Sequence, residues 1–157
     1  MPTIRDAALS DAPSPYAGSL LSYPGEFYKD LRHRTFTELW PEFFKMDMSS
    51  EQEADPGEYY LDTLAVLPEF RRRGIGRALL EDGIRKGISQ GFDRITLMAD
   101  SEMPHLIRLY ESIGFRKADI RHVFGVEFQR MVLYYNADGE SEYVPEFLEK
   151  WNFPGSV

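Results

Sequence analysis

Leu64-Ala65-Val66-Leu67-Pro68-Glu69-Phe70-Arg71-Arg72-Arg73-Gly74-Ile75-Gly76-Arg77-Ala78-Leu79-Leu80 decides how the chain is read. An apolar stretch runs into a turn holding three arginines and two glycines, and a helical pattern begins at once. That order predicts a strand, a tight loop and a helix. The first turn of a helix carries backbone N–H groups with no intrahelical partner, and it is the positive end of the macrodipole. Glycines at 74 and 76 let a ligand come close to that backbone. The arginines add charge and forked donors. The loop through Arg71, Arg72, Arg73, Gly74, Ile75, Gly76 and Arg77 is therefore predicted to grip the diphosphate of a nucleotide-like cofactor.

Before the loop, Tyr59 to Leu67 is β-rich and apolar apart from Asp62, as suits a strand buried on both faces. Further upstream, Gly18 to Tyr23 predicts a short strand ended by the turn dipeptide Pro24-Gly25. Residues 26–44 read as an amphipathic helix with Phe27, Leu31, Thr35, Leu39 and Phe43 on one stripe, Tyr28 within its arc, and a break at Pro41. Met48 to Gly57, with Glu51, Glu53 and Asp55 inside it and Glu58 beside it, is expected to be a solvated acidic connection.

After the loop, Ile75, Leu79, Leu80, Ile84 and Ile88 predict a helix to about Gln90, with Gly91 as its stop. Gly83 and Gly87 weaken it by roughly 1 kcal/mol each relative to alanine, and their four-residue spacing lines one side for close packing. A strand follows over Arg94–Ala99, then a short helix from Pro104 with Leu106, Leu109, Tyr110 and Ile113 on its apolar face and Gly114 at its end. Phe115 opens another extended segment. Val123-Phe124 and Val126–Tyr135 read as strands that pair around Gly125 or follow closely, and Pro145–Trp151 as a short helix. This order predicts an α/β or α+β layer fold with a mixed sheet.

Composition bounds the function. The chain has 157 residues, 43% hydrophobic and 14% aromatic, which predicts one domain over 1–157 with a real core. A net charge of −8 argues against a nucleic-acid partner despite the arginine run. With no cysteine there is no disulfide framework, thiolate zinc site or cysteine nucleophile. No apolar run has membrane-spanning length, and Met1 to Asp6 carries no signal-type apolar region, so a cytoplasmic protein without a membrane partner is expected. The nucleoside-triphosphate P-loop is missing, and Leu79 stands where a dinucleotide fingerprint needs its third glycine. His33, His105 and His122 show no ligand spacing, so no metal is expected.

Two motifs flank the Arg94–Ala99 strand. The first is Arg71-Arg72-Arg73-Gly74-Ile75-Gly76, and the second is Leu109-Tyr110-Glu111-Ser112-Ile113-Gly114-Phe115. With them, residues 58 to 135 resemble the GNAT superfamily of acyl-CoA-dependent N-acetyltransferases. Its signatures are Gln/Arg-x-x-Gly-x-Gly/Ala after a strand and Leu-Tyr-x-x-x-Gly-Phe on a later helix. The resemblance implies a mixed, mostly antiparallel twisted sheet flanked by helices, with a splayed central strand pair. It implies that the loop amides bind the pyrophosphate of coenzyme A, and that Leu64, Ala65 and Val66 pair with the pantetheine arm as an added strand would. Acetyl-CoA would be the cosubstrate and a primary amine of a small molecule or peptide the acceptor. The alternative is a silent acyl-CoA-binding module with a sensor or interaction role.

Tyr110 falls on the family tyrosine that often protonates the departing thiolate; its spacing alone favours a core aromatic beside Leu106, Leu109 and Ile113, and the resemblance reverses that preference. Asp62, on the strand beside the implied reaction centre, is the leading general-base candidate if burial raises its pKa, and a mere organiser of the N-terminal loops if not. Glu58 and Glu102 stand behind it. Two departures from the family are visible. Met103 and Leu106 replace an Asn and an Ala before the second motif. The N-terminal part is too short for the two early helices that often shape the acceptor pocket. Ile4, Leu20, Leu21, Phe27 and Trp40 would then offer apolar surface for a homodimer.

Overall fold

β-branched and aromatic runs punctuated by glycine and proline build one five-stranded sheet in the order β1-β2-β3-β5-β4. The computed structural model describes residues 16–34, 52–135 and 146–149. The strands are β1 (Gly18–Pro24), β2 (Tyr59–Val66), β3 (Arg94–Asp100), β4 (Arg116–Val123) and β5 (Val126–Tyr134). The helices are α1 (Tyr28–Arg34), α2 (Ile75–Ser89), α3 (Pro104–Ile113) and the single turn α4 (Glu146–Glu149). β1 is antiparallel to β2, and β3 and β4 are antiparallel to β5. Among the described strands only β2 and β3, joined through α2, run parallel. The mixed, mostly antiparallel sheet matches the expected fold.

The strand expectations hold to within a residue or two. β4 and β5 pair through a two-residue turn, with Phe124 at φ 51° and Gly125 at φ 77°, both in the left-handed region that tight hairpins require. Tyr59–Leu67 was expected to be buried on both faces, and this holds for one half only. Tyr59, Tyr60 and Leu61 are buried, but exposure alternates from Asp62 to Val66. The reason is topological, since β3 no longer runs beside the second half.

The main core lies between one sheet face and α2 and α3. It contains Leu61, Leu80, Ile84, Ile88, Ile95, Leu97, Ile113, Phe115, Met131 and Leu133. Gly83 and Gly87 let α2 approach the sheet. A methyl at Gly87 would meet the Tyr59 ring at 2.7 Å and Ile95 Cδ1 at 2.6 Å. A smaller cluster of Tyr23, Tyr28, Ala54 and Tyr60 fills the opposite face beneath α1.

Three N-terminal expectations change. The buried residue of α1 is Tyr28, at 1% exposure, whereas Phe27 and Leu31 of the anticipated stripe are exposed. Tyr28 wins because its ring packs edge-on against Tyr60, with the Arg32 guanidinium 5.5 Å above it. Leu20 turns inward onto α2 rather than outward to a partner. The acidic connection is not solvated: Glu53 and Glu58 are buried. Arginines from three distant segments, Arg32, Arg121 and Arg130, neutralise Glu53, Asp55 and Glu58. Ile4, Trp40 and residues 35–44 of the anticipated helix lie outside the described residues.

Candidate functional site

β2 and β3 share only two paired positions, Tyr59 with Ile95 and Tyr60 with Thr96. Beyond them β3 continues against β5 as far as Asp100, while β2 continues against β1 as far as Val66. The two central strands therefore separate from Leu61 onward. One edge of the second half of β2, including Leu64, Ala65 and Val66, has no strand on it. Unpaired backbone donors and acceptors on a strand edge are a template for an extended ligand.

The edge leads directly to the arginine loop. A short 3-10 turn over Pro68–Phe70 carries the chain out of β2, and Arg71 Nε donates back to the Val66 carbonyl at 3.2 Å. Arg72 sits at φ 60° and Gly74 at φ 77°, so the loop turns twice through the left-handed region before α2 starts. Gly74 is the N-cap and provides no side-chain bond, and the first turn of α2 carries no acidic residue. The Ile75, Gly76 and Arg77 amides are thus left for an anion. Arg71, Arg72, Arg73 and Gly74 are all exposed. Arg73 stacks at 5.4 Å on Phe70, and Arg77 pairs with Glu81 at 3.0 Å. The loop thus gathers backbone donors and guanidinium charge suited to an anion, beside a strand edge that carries no neighbouring strand.

Tyr110 lies on α3 at the margin of the main core, edge-on to Phe115 with ring centres 6.2 Å apart. Burial pushes its phenol above the usual range, so it remains a proton donor at neutral pH. Among the described residues no group hydrogen-bonds its hydroxyl. Asp62 stands on the other side. Leu21 pairs with Thr63 and Ser22 with Leu61, leaving Asp62 as the extra residue of a β-bulge, a device that re-aims a side chain. It is half-buried rather than buried. Its carboxylate accepts from the Tyr23 hydroxyl at 2.6 Å and the Thr63 hydroxyl at 3.1 Å.

Tyr23 also lines an open pocket of about 510 Å³ with Phe27, Asp30, Leu31, His33 and Arg34. Behind it, Tyr60 donates to Glu53 at 2.6 Å, and Arg32 pairs with the same carboxylate. Burial and the neighbouring Glu53 push the Tyr28 phenol up to about 12.

Glu58 is engaged elsewhere. It pairs with Arg130 and accepts from Thr96 at 3.1 Å and the Asp55 amide at 3.2 Å. Glu102 is exposed at the turn before α3, and Met103 occupies the N-cap of that helix. Sequence reasoning passed over Tyr23 and Arg130. Arg130, directly before the apolar stretch from Met131 on β5, was a partial sign that a buried acid awaits it. Tyr23 had no such sign. Among the described residues no three His, Asp or Glu side chains gather to hold a metal, and no helix is long and apolar enough to cross a membrane.

Known proteins agree with this geometry. The family described as acetyltransferase (GNAT) matches residues 28–115. The [ribosomal protein bS18]-alanine N-acetyltransferase of Salmonella typhimurium is 42% identical over 64 residues, covering 41% of this chain and 43% of that protein. The mycothiol acetyltransferase of Thermobispora bispora is 41% identical over 61 residues, covering 39% of this chain and 20% of that protein. The chain thus spans less than half the length of these curated relatives. A crystal structure of an acetyltransferase superposes with a TM-score of 0.63 at 28% identity, covering 76% of this chain and 65% of the other. An N-acetyltransferase from Staphylococcus aureus Mu50 gives 0.59 at 26%, covering 74% and 63%. The family match extends over more than half of the chain, and the chain belongs to the acetyltransferase (GNAT) family.

Proposed function

We propose that this chain is an acyl-CoA-dependent N-acetyltransferase that moves an acetyl group from acetyl-CoA to a primary amine of a small molecule or peptide by direct attack in a ternary complex. The observation that carries this reading is the parting of β2 from β3 after Tyr60, with the uncapped start of α2 at its mouth. The relative named for alanine of a ribosomal protein supports a peptide amine as one acceptor class. Bound acetyl-CoA supplies a thioester carbonyl activated for attack. The amides of Ile75, Gly76 and Arg77 and the guanidiniums of Arg71, Arg72 and Arg73 hold its diphosphate. Leu64, Ala65 and Val66 would line the arm along the open edge, with the Val66 carbonyl shared with Arg71 Nε.

The chemistry then needs one proton removed and one supplied. Asp62 accepts the proton that the amine nitrogen loses as the N–C bond forms. Tyr110 donates a proton to the sulfur as the C–S bond breaks. The two roles fall on different elements, Tyr110 on the helix packed against the main core and Asp62 on the strand bonded to Tyr23.

The test is titration with acetyl-CoA, then an assay of thiol release with a peptide starting in alanine and a panel of small primary amines. Gly76→Asp places a carboxylate where the diphosphate belongs and is expected to abolish acetyl-CoA binding. Retained affinity in that variant would refute the loop assignment. Binding without turnover on any amine would point instead to a non-catalytic acyl-CoA sensor.

A further inference from the structure

We propose that Tyr23 is a positioning residue for Asp62, fixing the carboxylate between the pocket under α1 and the open edge of β2. This rests on the reading of Asp62 as general base. Tyr23 belongs to both places at once. Its ring forms part of the pocket wall, and its hydroxyl donates to Asp62 Oδ2 at 2.6 Å. The ring cannot swing away, because it is buried and held edge-on against Tyr60 at 5.8 Å. Burial, first, and then the bonded Asp62 carboxylate push the Tyr23 phenol far above its ordinary range. It therefore stays a donor at any working pH.

The kind of partner matters as much as the contact. Asp62 is oriented by two neutral hydroxyls, Tyr23 on one oxygen and Thr63 on the other. Each carboxylate oxygen keeps a further lone pair for an incoming N–H. A guanidinium in the same place would add a full positive charge and stabilise the ionised form more strongly than two hydroxyls do. Arg32 on α1 is the nearest candidate for that, and it is drawn off by Glu53 from the 52–58 segment. Tyr60 on β2 donates to Glu53 as well, and Tyr28 on α1 carries the Arg32 guanidinium over its ring. Among the described residues Asp62 has no ion pair. The tyrosine cluster thus orders the carboxylate through hydroxyl donors, with the Arg32 charge acting on it only from beyond ion-pair distance.

Tyr23→Phe removes only the hydroxyl. At saturating acetyl-CoA, with an alanine-initiated peptide and the amine panel as probes, kcat is expected to fall about tenfold. KM and acetyl-CoA affinity are expected to move by less than about threefold. Asp62→Asn is expected to fall about 100-fold, within the usual range for acid–base catalysis. The double variant is expected to be no slower than Asp62→Asn alone, since Tyr23 acts only through that carboxylate. A structural role for Tyr23 would instead add its loss to the other. Spectrophotometric titration of the apo protein supplies a readout without turnover, in which Asp62→Asn should bring one phenol to a lower titration point. Slow Asp62→Asn with wild-type Tyr23→Phe overturns the role of Tyr23. An unchanged phenol titration in Asp62→Asn overturns the pairing even if Tyr23→Phe does not fold. Wild-type turnover in Asp62→Asn overturns the general-base reading itself, and with it this inference.

Discussion

Gly74 and Gly76 are two residues apart in one motif and face different constraints. Gly74 lies at φ 77° with no atom within 4 Å of where a Cβ would stand. Its demand is conformational, so Gly74→Ala costs about 1 kcal/mol of left-handed strain with no clash. That loss should appear in chemical denaturation, accompanied by weaker acetyl-CoA binding as the loop reshapes. A Cβ at Gly76 would touch Val66 at 3.7 Å and Leu64 at 3.8 Å, which is ordinary contact. Gly76→Ala should therefore leave the denaturation midpoint unchanged while lowering acetyl-CoA affinity. Both glycines were legible as a ligand loop in the sequence. Which one the fold needs was not, because φ and the surroundings of a missing side chain are set by the whole loop.

At the scale of elements, the helix α2 trades intrinsic stability for approach. Alanine at Gly83 or Gly87 gains about 1 kcal/mol of helix propensity. At Gly83 the obstacles are Leu20 Cδ2 at 2.5 Å and Leu61 Cδ2 at 3.0 Å, both far ends of flexible side chains. At Gly87 three contacts under 3.0 Å include two atoms of the Tyr59 ring. Gly87→Ala is thus expected to destabilise by about 2 kcal/mol and Gly83→Ala by less than about 1, read as shifts in denaturation midpoint. Equal effects would mean that α2 floats as a rigid rod over the sheet. The spacing of the two glycines announced close packing, yet only the sheet reveals which one meets an aromatic ring. The same holds for α1. Periodicity put Phe27, Tyr28 and Leu31 within one apolar arc, and of these the edge of Tyr60 captured Tyr28 alone.

Across the whole molecule, the 52–58 segment braces the hairpin to the centre of the sheet. Arg121 donates to both oxygens of Asp55 at 2.7 and 3.1 Å and to Asp119 at 2.9 Å, while Arg130 bridges Asp119 and Glu58. The Arg121 hydrogen bonds are the largest influence on Asp55 and hold its carboxyl below its ordinary 3.8. A carboxyl lowered in the folded state contributes stability above the unfolded value, and that contribution is lost as pH falls through the folded value. Stability is therefore expected to decline as pH drops below about 4. Asp55→Asn should be less stable at neutral pH and show a shallower decline in denaturation series between about pH 6 and 2.5. Parallel curves for the two proteins would remove Asp55 from the brace.

Local patterns in the chain were enough for the strand–loop–helix order, the uncapped arginine loop, the Leu109-Tyr110 helix and hence the family. Each depends on spacing within a few residues, where backbone periodicity and turn chemistry act. Tertiary structure decided the rest. The parting of β2 from β3, the bulge at Asp62, the Tyr23 hydroxyl on its carboxylate and the burial of Glu53 and Glu58 all join segments far apart in the chain. A carboxylate's environment is made by whichever distant groups the sheet brings to it, and no local pattern records that.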